Sequence, residues 1–382
     1  MQSCNKCGLP ETFETIELDS RSGCNICKQV EFKDTSIDWT ARKKMLDTLV
    51  SEYRGKYDYD CIIPFSGGKD STFTLYYLVK EYKIKPLVVQ FNHGFLRPNV
   101  LENNEKTFRK LGVDVISYRP NWKLVKRLMK EALIRKGDFC WHCHVGIFAY
   151  PMRMAIKFNV PLIFWGEPSA EYTAYYDYNE DEIETVDEVR FDRFVNLGIT
   201  AEDMKGMIKD QQFDERDFLP FTYPSLKELN RIKYRSVCLG SYIPWNTMEQ
   251  SKLISKELNW KGDDVEGMPP DLYSYEKIEC WMQGTRDYIK FLKRGYGRTR
   301  QMTTLDIRNG RMTLDEANKL SNAFDGKKPH SLELLLNYLD MDENEFNEII
   351  EKTVIPPNKP NFDKIEKMNT IPQDHKKWYR EE

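Results

Sequence analysis

The chain has 382 residues, 31% of them charged, and a formal net charge of −3, so it is long enough for two or three domains but carries no global basic field of the kind that marks nucleic-acid binding. Its first residues, MQSCNKCGLP, lack the basic-then-apolar pattern of a secretory signal, and no apolar run approaches the roughly 20 residues of a membrane span. A cytoplasmic, reducing compartment is expected, where nine cysteines suggest metal more than disulfides.

Four of those cysteines come first. Cys4-x-x-Cys7 and Cys24-x-x-Cys27 are separated by 16 residues, which is zinc-site spacing. Each CxxC can present two thiolates from a tight turn, and two turns complete a tetrahedron. The segment Thr12 to Leu18 is expected to form a hairpin between them, with Gly8 and Gly23 where the turns bend. A Zn²⁺ site closed by four protein ligands is structural rather than catalytic. Residues 1–35 therefore read as a zinc ribbon.

The next segment alternates strand and helix. Cys61 to Phe65 is a short apolar run that suits a buried strand, and Ser71 to Lys80 continues without a breaker as a helix. Between them lies Ser66-Gly67-Gly68-Lys69-Asp70-Ser71. Two glycines let the backbone fold tightly and turn its N–H groups outward, and the helix N-terminus adds partial positive charge. Such a turn is suited to an anion, most naturally phosphate. It is not a Walker A loop, which needs GxxxxGK[ST].

Pro86 to Phe91 reads as a second strand ending at Asn92-His93-Gly94, and Val100 to Leu111 as a helix with Asn99 as N-cap and Gly112 as its C-terminal stop. Val113 to Tyr118 gives a third strand, Trp122 to Arg135 a helix, and Pro161 to Trp165 a fourth strand ending at Gly166-Glu167-Pro168-Ser169. This alternation predicts an α/β fold with a doubly wound parallel sheet, in which ligands bind at the carboxyl ends of strands. Three such ends, SGGKDS, QFNHG and WGEPS, are expected to line one crevice. There His93 could bond a base or phosphate, or be merely exposed. Glu167 could hold Mg²⁺, orient the acceptor, or be a solvated loop residue.

A second cysteine cluster, Cys140-Trp141-His142-Cys143-His144, leaves three readings open. With Cys238 it resembles the three-thiolate [4Fe–4S] sites of tRNA thiolation enzymes; with a histidine its spacing suits a second zinc; or the thiols are reduced and unliganded. Cys61 and Cys280 read as core fillers. Acidic residues crowd between Tyr172 and Glu188 (Asp177, Glu180, Asp181, Glu182, Glu184, Asp187 and Glu188), as a solvated excursion from the sheet. The one basic concentration is Arg286, Lys290, Lys293, Arg294, Arg298, Arg300, Arg308 and Arg311, interleaved with Tyr288, Phe291 and Tyr296. It is either a solvated helix face or a clamp for an acidic, phosphate-bearing substrate. From Ser251 onward the chain reads helical and polar, and residues 358–382 as a tail. The expected organisation is therefore 1–35, 36–250 and 251–382.

The hexapeptide SGGKDS resembles the signature of PP-loop ATP pyrophosphatases, adenine nucleotide α-hydrolase-like enzymes whose loop grips the pyrophosphate of ATP while an acceptor oxygen attacks the α-phosphorus. That resemblance implies nucleotide contacts from Ser66, Gly67, Gly68, Lys69, Asp70 and Ser71, main-chain contacts to adenine from Val89 and Phe91, and further contacts at Asn92 and Gly166. It also implies that Lys69 counters phosphate charge and that Asp70 organises the turn or Mg²⁺, with Glu167 as a third catalytic candidate.

The combination of CxxCxxPETF…CxxC, SGGKDS, CWHCH and LGSYIPWN (Leu239 to Asn246) resembles the N-acetyl sugar amidotransferases of bacterial surface-glycan biosynthesis, over most of the chain. This resemblance implies conversion of a sugar acetamido group to an acetamidino group, by adenylylation of the amide oxygen and addition of ammonia. It suggests Tyr242, Trp245, Arg286 and Arg294 as substrate contacts. It also implies ammonia from partners resembling the glutaminase and cyclase subunits of imidazole glycerol phosphate synthase. The chain agrees, since neither an N-terminal cysteine nucleophile nor a GxCxG elbow occurs. An acidic sugar or nucleotide-sugar is the expected substrate. The competing reading is a PP-loop tRNA thiolation enzyme, which the −3 charge and the lack of a basic arm disfavour.

Overall fold

The computed structural model describes residues 1–168, 170, 197–208 and 212–368. The acidic stretch around Asp177 to Glu188, Ser169 and the last part of the tail lie outside the described residues. Five parallel strands form one sheet in the order β3-β2-β1-β4-β5. They are β1 (Cys61–Pro64), β2 (Pro86–Phe91), β3 (Asp114–Tyr118), β4 (Leu162–Trp165) and β5 (Arg235–Cys238). Strands β1 and β4 read as continuous apolar runs, and β2 does so apart from Gln90, because helices cover both faces. The expected doubly wound α/β sheet is what the chain forms. β5 adds a strand to the four legible in the sequence, its four residues opening on the charged Arg235 with Lys233 just before it.

Ahead of the sheet come α1 (Asn25–Ser36) and α2 (Trp39–Tyr53). On one face α2, α3 (Lys69–Tyr82) and α4 (Pro98–Leu111) share a core with Cys61, Ile63 and Val88; on the other, α5 (Trp122–Lys136) and α6 (Trp141–Phe158) pack on Ile62, Val89 and Phe91. The alternation of Cys61, Ile62 and Ile63 between the two cores is the period of two that a strand imposes. Gly112 closes α4 in the left-handed region at φ 65°, as expected, but the helix starts two residues early. Pro98 occupies its first turn, where a missing N–H costs nothing, and Arg97 rather than Asn99 stands at the N-cap.

Among the described residues, three short helices follow, α7 (Ala201–Met207), α8 (Glu215–Phe218) and α9 (Leu226–Arg231), and then α10 (Thr247–Leu258). Helix α10 crosses the expected boundary at residue 250 and returns to the sheet core, where Ile254 and Leu258 are fully buried. The helical C-terminal region is built from α11 (Gln283–Arg294), α12 (Arg298–Arg308), α13 (Leu314–Phe324), α14 (Ser331–Leu339) and α15 (Glu343–Glu351). Its core joins Leu292, Leu335 and Phe346 to Val125, Met129 and Leu133 of α5, which fixes it beside the carboxyl end of the sheet.

At the N-terminus the four cysteines fold as expected, but the hairpin does not form. Thr12 to Leu18 makes turns, and only the bridges Ser3–Pro10 and Leu18–Cys24 are strand-like. The second CxxC instead opens α1, with the Cys24 sulfur accepting from the Cys27 N–H at 3.4 Å.

Candidate active site

Chain order reverses between β1 and β4, and the crevice at that switch point is where the fold places ligands. The loop Ser66–Gly68 fills its mouth. Gly67 sits at φ +91°, which side-chain-bearing residues rarely adopt, and a Cβ there would meet Asn104 at 2.3 Å. Ser71 knots the loop: its hydroxyl accepts from the Ser66 and Gly67 N–H groups, both at 3.3 Å, and donates to the Gly68 carbonyl at 3.2 Å. Gly68 is the N-cap of α3 and offers no side chain to cap the first turn. The partial positive charge of a 14-residue helix therefore faces the crevice, as an anion-binding turn requires. Gly166 brings the end of β4 against this turn; a Cβ there would lie 3.3 Å from Asp70.

Lys69 does not stand free to counter phosphate. Its side chain is 3% exposed and is held by Asp70 at 2.8 Å and by Glu276 at 2.6 Å. The reason is positional: as the first residue of α3 it points back into the body, and an unpaired ammonium there would be costly. Glu276 is in turn 3.7 Å from Arg298, which grips Asp287 at 3.1 Å. A buried charge network thus ties the loop to α11 and α12. Asp70 keeps its second oxygen, Oδ1, buried and without a protein partner, an acceptor suited to a cation such as Mg²⁺.

The end of β2 contributes less than expected. The Val89 carbonyl accepts from Phe65 and the strand is paired on both sides, so Val89 has no main chain to offer adenine. Phe91 extends past the last β1 pair and is paired with Tyr118 on one side, so its other edge is available. Asn92 folds its side chain onto the Gly94 N–H at 2.9 Å. His93 is neither exposed nor poised for phosphate: it is 7% exposed, burial holds it down to about 3, and its Nδ1 accepts from the Phe95 N–H.

Beside the loop lies a polar cavity of about 280 Å³, bordered by Glu167 and Glu276 from the crevice, Phe13 and Glu14 from the ribbon, and the basic faces of α11 and α12. Glu167 reaches it from the end of β4. Burial and the nearby Asp70 push its carboxyl up to about 7, against the pull of Lys277 and Lys69. Of the basic concentration, Arg286, Lys290, Lys293, Arg294 and Arg298 line the cavity. Arg300 and Arg311 do not; they bond Asn318 and Asp306 instead. Burial and Arg298 hold the Lys290 amine down to about 8 despite Asp287. Burial works against the Arg286 charge, yet Cys140 and Asp138 hold it above its ordinary range. Arg294 also clasps the ribbon, donating to the Thr12 carbonyl at 2.6 Å.

Tyr242 and Trp245 do not join these residues. They are 1% and 5% exposed in the sheet core, Trp245 packed edge-on to Phe73. Their motif follows β5 but turns into the body before α10. Tyr242 borders a larger groove of about 750 Å³ between α2, α3 and α10, which contains neither Glu167 nor Glu276. The smaller cavity holds both, and Glu276 links it to the loop through Lys69.

The ribbon sulfurs form a site that fits zinc. All four lie within 4.8 Å of one another, with Cys4–Cys27 at 4.0 Å and Cys7–Cys24 at 3.8 Å. A tetrahedron with metal–sulfur bonds of about 2.3 Å has edges of about 3.8 Å. Among the described residues no other group gathers three metal-ligating side chains that closely. Cys140 caps α6, its N–H donated to Asp138 at 2.7 Å. The cysteine that bears on Cys140 and Cys143 is Cys280, read as core filler from the sequence, whereas Cys238 packs in the sheet core with Ile163 and Trp141. Burial pushes the Cys143 and Cys280 thiols up to about 12.

Glu276, Lys277 and Glu279 went unnoticed in the sequence. They come from Glu276-Lys-Ile-Glu-Cys280, a stretch of turns between α10 and α11 without periodicity. The only signal was two acids and a cysteine in an otherwise irregular segment.

No helix among the described residues is long and apolar enough to cross a membrane. A 102-residue segment is 29% identical to the uncharacterized protein MJ1599 of Methanocaldococcus jannaschii, covering 27% of this chain and 36% of that protein, so the chain spans little more than a third of that relative. Among the solved structures that align, two do so at low similarity. The U34-tRNA thiolase NcsA from Methanococcus maripaludis with its [4Fe-4S] cluster is 16% identical, with 81% of this chain and 87% of that one covered and a TM-score of 0.32. The NMN synthetase from Francisella tularensis is 12% identical, with 62% and 100% covered and a TM-score of 0.27. Residues 273–376, which supply Glu276 and both basic helices, match the family model of the LPS biosynthesis protein WbpG-like C-terminal domain. Through that region the chain is similar to a family of LPS biosynthesis, in agreement with the surface-glycan resemblance of its motifs.

Proposed function

We propose that the chain is an ATP-dependent amidotransferase that converts an acetamido group on an acidic sugar or nucleotide-sugar into an acetamidino group, in LPS O-antigen or related surface-glycan biosynthesis. One observation carries the reading: the glycine turn ahead of α3 is tied through Lys69 to Glu276, and Glu276 and Glu167 border a cavity lined with cations. The WbpG-like match over the basic helices supports the glycan side of it.

In this reading the pyrophosphate of ATP lies against the first turn of α3, between Ser66 and Ser71, and the sugar lies in the cavity. Its carboxylate or phosphate is met by Arg286, Lys290 and Arg298, with Arg294 at the rim. The amide oxygen attacks the α-phosphorus and the bond to pyrophosphate breaks, leaving an O-adenylyl imidate. Ammonia then adds to the imidate carbon, the carbon–oxygen bond breaks, and AMP departs. Glu167, half ionised near neutral pH, accepts the proton that the incoming nitrogen loses. Mg²⁺, when bound, supplies charge neutralisation on the phosphates, and Asp70 is the residue with an oxygen left for it. An amide is a weak nucleophile, so placement by the cavity and electrostatic stabilisation carry much of the rate.

Zinc in the ribbon is structural: it fixes the turns whose Phe13 and Glu14 wall the cavity. Nitrogen comes from a partner glutaminase with a cyclase-like subunit. The test is incubation with ATP, Mg²⁺, ammonium and candidate diacetamido sugars. Pyrophosphate release coupled to exchange of the amide oxygen for NH, read by mass spectrometry, supports the reading; ATP-dependent sulfur transfer to tRNA with no sugar product replaces it.

A further inference from the structure

Glu279 lies against the loop itself. A Cβ on Gly68 would stand 1.7 Å from its Oε1 and 2.6 Å from its Cδ, so the carboxylate presses directly on the backbone at the N-cap of α3. The Ser66 hydroxyl donates to the same oxygen at 3.5 Å. The backbone that carries this side chain is pinned. The Arg97 N–H donates to the Glu279 carbonyl at 3.2 Å, the Trp281 N–H donates to the Phe95 carbonyl at 3.0 Å, and Leu96 and Cys280 form an antiparallel bridge. Arg97 is itself held by Asp263 at 2.7 Å.

The surrounding charge makes this position consequential. Lys69, the one cation of the hexapeptide, is engaged by Asp70 and Glu276. Lys277 bears on both Glu167 and Glu276. The crevice therefore gathers four carboxyl groups, Asp70, Glu167, Glu276 and Glu279, around Lys69, Lys277 and Arg298. A loop built to hold phosphate is thus bordered by acid.

We propose that Glu279 is a specificity-determining residue that makes the loop select metal-complexed nucleotide over metal-free polyphosphate. The inference rests on the reading of the loop as a nucleotide site. A bare pyrophosphate group entering the turn brings like charge against a carboxylate whose backbone cannot retreat. A divalent cation on the phosphates reverses the sign of that encounter, and the unpartnered Oδ1 of Asp70 stands ready to share it. Gly68 follows as a requirement of the same design, since any side chain there would displace Glu279.

The test is binding of inorganic pyrophosphate and of ATP to the full chain, with and without Mg²⁺, by calorimetry. The native chain should bind both at least about tenfold more tightly with Mg²⁺. In Glu279→Gln, which keeps the shape and removes the charge, metal-free pyrophosphate should bind about tenfold more tightly than to the native chain, and the Mg²⁺ preference should collapse. Glu279→Ala should behave alike, since charge and not the amide is at issue, and circular dichroism checks that both variants fold. An unchanged Mg²⁺ preference in the Gln variant, with native binding intact, overturns the role of Glu279 alone. If the native chain binds neither ligand under any condition, the nucleotide reading falls and this inference with it.

Discussion

Replacing Glu276 with Gln tests whether the charge network under the loop is a structural keystone. The Glu276 carboxylate is 3% exposed, 2.6 Å from Lys69 and 3.7 Å from Arg298. Burial alone would raise its carboxyl, but Lys69, Lys277 and Arg298 outweigh it and hold the group at about 2 against an ordinary 4.5. That difference corresponds to about 3 kcal/mol favouring the ionised form in the folded chain. Removing one partner of a buried ion pair costs about 3–5 kcal/mol by a separate line of reasoning, because the remaining cation stays desolvated. Glu276→Gln should therefore be about 3 kcal/mol less stable than the native chain at pH 7. A folded pKa below the unfolded one gives stability that is present above pH 4.5 and lost as pH falls toward 2. The gap between native and variant should thus shrink to about half near pH 3. Urea titrations followed by circular dichroism at pH 7 and near pH 3 measure both. The reasoning is refuted if the variant lies within about 1 kcal/mol of native at pH 7, or if the gap stays undiminished in acid.

Four shorter predictions accompany it. The native chain should carry one zinc, and Cys24→Ser should lose it and melt the ribbon before the sheet, checked by metal analysis and by proteolysis of the first 35 residues. If Glu167 accepts a proton, turnover should rise with pH through about 7 in the native chain; Glu167→Gln should lose that limb along with about 10²–10⁴ of the rate. Lys290→Met should raise KM for an acidic sugar while leaving ATP binding in place, and equal losses in both would argue against an anion subsite. Purified alone, the chain should use ammonium at alkaline pH, where the free amine is present, and ignore glutamine until a glutaminase and a cyclase-like partner are added; efficient glutamine hydrolysis by the isolated chain would sink the partner proposal.

Much of the frame was legible because local rules decide it. Apolar runs bounded by Gly and Asn gave four of five strands, Gly112 marked a helix end, and paired CxxC knuckles announced the four-sulfur site. SGGKDS was legible as a strand-to-helix anion turn for the same reason: its glycines and its position answer to backbone sterics alone. What stayed hidden depends on distant packing. The direction of Lys69 is set by Glu276, more than 200 positions later in a segment without periodicity. Tyr242 and Trp245 looked like binding aromatics, yet burial behind α3 and α10 claims them. Cys238 and Cys280 could not be told apart by spacing, because only the docking of the segment before α11 brings Cys280 toward Cys143.

The clasp between ribbon and basic helices has a consequence for the order in which the chain is made. The Thr12 hydroxyl donates to the Arg294 carbonyl across 282 residues, and Phe13 packs on Tyr296 with ring centroids 5.6 Å apart. The ribbon leaves the ribosome well before the surface it docks on, which is synthesised 282 residues later. At about 5–20 residues per second, that interval is roughly 15 to 55 s. During it the ribbon has no partner surface and a core of little more than four cysteines, Leu9, Phe13 and Ile26. A small module with so little to bury holds its shape only if metal arrives early. If the four sulfurs hold a metal, its supply during translation, rather than after release, should then decide what fraction of chains reach the assembled form.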